Sequence, residues 1–88
     1  MDMTRDEIQA RVLNIFSERF EISHPGLDED LREVYEFDSI DAIELLREIE
    51  LMLGTGLTIK QKKSAMHIRT INQIIDYVAT LADTLAAK

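Results

Sequence analysis

The sequence predicts an all-α fold: a small bundle of three main helices, a short third helix before the last, and a long loop between helices 1 and 2. Three observations predict it. Apolar residues recur at helical spacing in three long segments. Thr4-x-x-Glu7 and Thr70-x-x-Gln73 have the pattern of capping boxes, in which side chain and backbone cap each other at a helix start. No segment alternates apolar and polar residues as a half-buried strand would, and no repeat or low-complexity stretch is present.

The first helix covers about 4–20, with Ile8, Val12, Ile15 and Phe16 as its apolar stripe. His24-Pro25-Gly26 then breaks the chain. Residues 21–37 read as a long loop anchored by Leu27, Leu31, Val34 and Phe37, and a loop of this length either serves function or hides a helical turn. Asp38 is a good N-cap for a second helix over 39–53. Asp41 in its first turn suits the positive end of the helix dipole. Gly54-Thr55-Gly56 stops that helix. A short third helix is expected over 59–66. The last spans about 71–86, on a stripe of Ile71, Ile74, Ile75, Val78, Leu81, Ala82 and Leu85.

Composition bounds the function. With 88 residues, one domain over 1–88 is expected. Hydrophobic residues make up 45% of the chain, enough to fold. The absence of Cys excludes a disulfide framework, a Cys-ligated zinc site and a catalytic cysteine, and His24 and His67 are too isolated for a metal site. The first residues hold no apolar stretch of the signal-peptide kind, and no run approaches the ~20 apolar residues that span a bilayer. A cytoplasmic, soluble domain is the expectation. The net charge of −7 argues against nucleic-acid and anionic-membrane binding. That charge is uneven. Residues 28–50 hold 10 acids and 2 bases, whereas 51–75 hold 4 bases and no acid. Such an acidic run is either a solvated helix face or a docking surface for basic partners.

On a helical wheel the second helix turns Ala42, Leu45, Leu46, Ile49, Met52 and Leu53 to the core. Ile40, Glu44, Arg47 and Leu51 lie opposite, flanked by Asp41 and Glu48 on one edge and by Ile43 and Glu50 on the other. Exposed aliphatics among carboxylates are either ordinary surface or the anchors of a binding stripe. Ser39 stands where loop meets helix. It is either a helix cap or part of a helix N-terminus whose open N–H groups make a natural seat for a phosphate. A catalytic serine lacks support, because there is no G-x-S-x-G elbow and the two His are distant in sequence.

Asp38-Ser39-Ile40-Asp41, leading into Ala42-Ile43-Glu44-Leu45, closely resembles the signature of the acyl carrier protein family, which is Asp-Ser-Leu followed by an acid. Chain length, acidity, helix order and Ile75-Asp76-Tyr77-Val78 in the last helix extend the resemblance over nearly the whole chain. It implies a 4'-phosphopantetheine arm on Ser39, with Asp38 as part of the motif. The thiol of that arm holds acyl groups as thioesters, so the protein is a shuttle and not an enzyme. Implied partners are a phosphopantetheinyl transferase and acyl-loading, condensing or acyl-transferring enzymes with basic docking patches. They would meet a monomer at Asp38, Ile40, Asp41, Ile43, Glu44, Arg47, Glu48 and Glu50. Leu45, Ile49 and Ile68 are implied to line the space that shelters the acyl chain.

The chain departs from the common fatty-acid carriers at three places. Arg47 replaces an apolar contact, Leu51 replaces an acid, and Thr58 to Arg69 is longer and basic, with Lys60, Lys62, Lys63 and Arg69. The departures point to a specialised carrier. A carrier for a polyketide unit or an amino acid such as D-alanine, and a non-modified acidic interaction domain, are the alternatives.

Overall fold

The computed structural model describes residues 3–86, and among them the chain is helical with no strand. Three long helices, α1 (Arg5–Arg19), α3 (Ser39–Leu53) and α5 (Ile71–Ala86), form the frame. Two short ones, α2 (Leu31–Tyr35) and α4 (Ile59–Ser64), lie in the connections, and a 3₁₀ turn over Ala65–His67 follows α4. The core forms where the predicted stripes meet. Ile8, Val12 and Phe16 of α1 join Leu45, Leu46, Ile49 and Leu53 of α3 and Ile71, Ile74, Ile75, Val78, Leu81 and Ala82 of α5. Ala42, Met52 and Leu85 are half-buried at its margin.

Of the two readings of the long loop, the structure bears out the hidden helical turn: the loop contains α2. Asp30 caps this helix by accepting from the backbone N–H groups of Arg32 (2.9 Å) and Glu33 (3.2 Å). Glu36 ends it in the left-handed region, φ 56°. Helical geometry also corrects one anchor. Leu31 and Tyr35, one turn apart, point inward, which swings Val34 into solvent at 51% exposure. Contacts to the start of α5 hold the segment down. Leu31 N–H donates to the Arg69 carbonyl (2.8 Å), and Asn72 N–H to that of Leu27 (3.0 Å). Asn72 Nδ2 donates to Asp28 (2.7 Å), and Arg69 pairs with Asp30 (3.3 Å).

Caps set the remaining boundaries. Thr70 and Gln73 form the expected reciprocal box. Thr58 and Gln61 form another ahead of α4. At Thr4 only half of the expected box is present. Thr4 Oγ1 accepts from Glu7 N–H (3.2 Å), but the Glu7 carboxylate takes the Thr4 hydroxyl hydrogen instead of the backbone N–H. Gly54 closes α3 at φ 71°, where a side chain would be strained.

Candidate functional site

The start of α3 is fixed from two directions. From the core side, Phe37 is buried against Phe16 and Phe20, with ring centroids 5.4 and 5.2 Å away. Such aromatic pairs contribute about 0.5–1.5 kcal/mol each beyond area burial. From the solvent side, Asp38 and Asp41 cap each other reciprocally. Asp38 accepts from Asp41 N–H (3.0 Å), and the Asp41 carboxylate accepts from Asp38 N–H (3.2 Å). Asp38 is therefore the cap, and Ser39 is the first helical residue.

That arrangement leaves Ser39 chemically available. It is exposed, and among the described residues its hydroxyl makes no hydrogen bond. The backbone N–H groups of Ser39 and Ile40 sit in the unpaired first turn, beside the positive end of the dipole. Those groups favour an anion, whereas the neighbouring Asp38 and Asp41 oppose it. A hydroxyl here can be an attachment point without giving up any interaction the fold needs.

The predicted surface residues divide into two groups. Ile40 and Ile43 are 73% and 61% exposed, as is Leu51 at 70%. Glu44 and Arg47 are exposed and have no ion pair among the described residues. Glu48 and Glu50 are turned to internal work instead. Glu48 pairs with Arg19 of α1 at 2.6 Å, its side chain only 16% exposed. Glu50 accepts from Leu57 N–H at 2.7 Å and so pins the turn that leads into α4. A wheel places both on the edges of the stripe, and their reach lets them bend to partners on other elements.

Behind Ser39 lies an apolar cavity of about 30 Å³. Leu45, Ile49 and Ile68 all line it, with Phe37, Asp38 and Ala42 at the end next to Ser39 and Ala65 and Tyr77 farther in. That is far below the ~150 Å³ of an apolar cavity that admits benzene. The cavity is thus a packing seam that must part to admit a chain. Two hydrogen bonds hold its wall shut. Tyr77 Oη donates to the Gln61 carbonyl (2.7 Å), and Arg32 donates to the Met66 carbonyl (3.3 Å). Burial, with the Glu50 charge adding to it, raises the Tyr77 pKa, so the phenol keeps its donor proton at neutral pH.

Sequence reasoning left α2 as one of two readings of the loop and missed the Thr58–Gln61 box and the Tyr77 tie. The first two had local signals, Asp30 before Leu31 and the Thr-x-x-Gln spacing. The tie joins residues 16 apart and had none.

Comparison with known proteins gives consistent matches. The family model described as "Phosphopantetheine attachment site" matches residues 10–78, which include Ser39. Acyl carrier protein 2 of Ralstonia nicotianae is 33% identical over 81 residues, covering 90% of this chain and 96% of the relative. The acyl carrier protein of Lactobacillus johnsonii is 28% identical over 86% of this chain and 94% of its own length. That of Rubrobacter xylanophilus is 30% identical over 86% and 93%.

Proposed function

The chain belongs to the acyl carrier protein family, and on that footing we propose that Ser39 carries the phosphopantetheine arm and that the protein shuttles acyl thioesters between biosynthetic enzymes. The supporting observation is the state of Ser39, exposed and without a hydrogen bond on a helix that Asp38 and Asp41 already cap. Attachment joins the Ser39 Oγ to the phosphate of the arm as a phosphodiester, and coenzyme A supplies that group with adenosine 3',5'-bisphosphate leaving. The arm supplies the thiol on which acyl groups ride. The protein's own residues position the arm and present it, and a tether raises the effective concentration of cargo at each partner.

Docking rests on Ile40, Ile43 and Glu44 beside Ser39, where aliphatic anchors sit among carboxylates. A basic patch on the partner would be steered to them, with Arg47 setting which patch fits. Asp38 and Asp41 contribute charge to the same end of α3 while capping it. Leu45, Ile49 and Ile68 would shelter the acyl chain once the seam parts. Arg47, Leu51 and the basic 58–69 segment favour a specialised carrier with partners other than the common fatty-acid enzymes.

Intact-protein mass spectrometry after incubation with a phosphopantetheinyl transferase and coenzyme A tests the reading. One phosphopantetheine should add to the wild type and none to Ser39→Ala. No mass gain with several transferases, from a protein that melts cooperatively, would leave an unmodified interaction domain as the better account.

A further inference from the structure

The outer face of α4 does not line the apolar seam behind Ser39. Helix α4 buries none of its own residues. Continued through the 3₁₀ turn, its wheel puts Ile59, Lys63 and Met66 on one outward line, with Lys62 on one flank and Lys60 and His67 on the other. Gln61, Ala65 and Ile68 are turned toward the protein. Ile59 is 75% exposed and Met66 41%. Lys60, Lys62 and Lys63 make no ion pair among the described residues, and no acid occurs anywhere in 51–75.

The face is held in place from beneath. The Thr58–Gln61 box fixes the start of α4, Tyr77 holds the Gln61 carbonyl, and Arg32 holds that of Met66. The fold therefore presents two aliphatic side chains among three lysines, on a helix whose exposed residues contribute nothing to the core. We propose that this face docks an acidic protein surface carrying aliphatic side chains, as a second interaction surface distinct from that of α3.

Charge complementarity selects the occupant. A nucleic acid or an anionic membrane is acidic over a wide area and would also meet the −8 stretch of residues 28–50, on a body only 38 × 26 × 20 Å across. A local acidic patch on a protein meets the lysines alone. Aliphatic partners also suit Ile59 and Met66, which a phosphate backbone would leave unsatisfied. A second copy offers the right chemistry on its α3, but each copy carries −7, so like-charge repulsion opposes that pairing. Docking at α4 requires nothing of Ser39, so the inference stands apart from the carrier reading.

The probe is a stapled acidic helix with leucines at i, i+4 and i+7 and glutamates between them, titrated into isotopically labelled full-length protein and followed by amide NMR shifts. Shifts should centre on Ile59, Lys63 and Met66. Affinity should fall at least about tenfold in K62E/K63E and also on raising NaCl from about 50 to about 500 mM. Ile59→Ser should weaken binding as well, and transferase modification of Ser39 should proceed in these variants as in the wild type. The proposal is overturned if no α4 amide moves up to about 1 mM peptide, or if K62E/K63E binds as the wild type does. Stronger α4-dependent binding to phosphatidylglycerol-containing vesicles would assign the face to a membrane. A dimer in sedimentation velocity that K62E/K63E abolishes would assign it to a second copy.

Discussion

Replacing Ile49 by Ala probes the seam behind Ser39. Ile49 is 1% exposed and lines the cavity, so its side chain is counted almost wholly as buried area. The substitution removes three carbons, worth about 2.4 kcal/mol at ~0.8 kcal/mol per buried methylene. Incomplete collapse of the enlarged cavity brings the loss to about 3 kcal/mol. For a domain of this size that lowers the melting temperature by roughly 12–24 °C. The informative step is to load the variant with an eight-carbon acyl group. If the chain enters beside residue 49, it refills the space, and the gap to the equally loaded wild type narrows by about 1–2 kcal/mol. Val12→Ala is the control. Val12 is fully buried in α1 but does not line the cavity, so its penalty of about 2 kcal/mol should persist on loading. Urea and thermal unfolding of both forms measure these differences. Penalties at 49 and 12 that respond identically to loading would refute an acyl site lined by Ile49.

Two further outcomes are expected. Tyr77→Phe removes the donor to the Gln61 carbonyl. Because Ala65 N–H also bonds that carbonyl, the loss should be small, about 0.5–1 kcal/mol. Amide exchange should nonetheless quicken across α4 before α1, and uniform quickening would deny the tie any local role. The second outcome concerns acid. Partial burial works to raise the Asp30 pKa, but hydrogen bonds from Glu33, Arg69 and Arg32 outweigh it and hold it below its usual 3.8. A depressed carboxylate stabilises the fold above its unfolded pKa, and that contribution is lost as pH falls through the folded value. Asp30→Asn keeps a cap but cannot titrate. The wild type should therefore be the more stable near neutrality, with the difference shrinking below about pH 4 in thermal melts; a difference constant with pH would contradict the assignment.

The long helices were legible because each buries a stripe at its own period, as Ile8, Val12 and Phe16 do in α1. Helix α2 was not, because five residues with Leu31 alone fully buried cannot display a period. Beyond the local Asp30 cap, what holds it comes from residues 69 and 72, and no local pattern announces those bonds. The candidate site divides in the same way. Ser39 was legible from its neighbours, and the exposure of Ile40 and Ile43 followed from the wheel. The inward turns of Glu48 and Glu50 did not, since they depend on Arg19 and the Leu57 amide arriving from elsewhere in the chain.

The capping of α3 by Asp38 and Asp41 has a consequence for the protein's life cycle. Because two carboxylates terminate the helix between themselves, the Ser39 hydroxyl beside them supplies no hydrogen bond to the cap. On the proposed reading, modification then costs the cap no hydrogen bond, and bare and modified forms should differ in stability only through the charge that Asp38 and Asp41 oppose. The population of each would then be left to the enzymes that act on the arm.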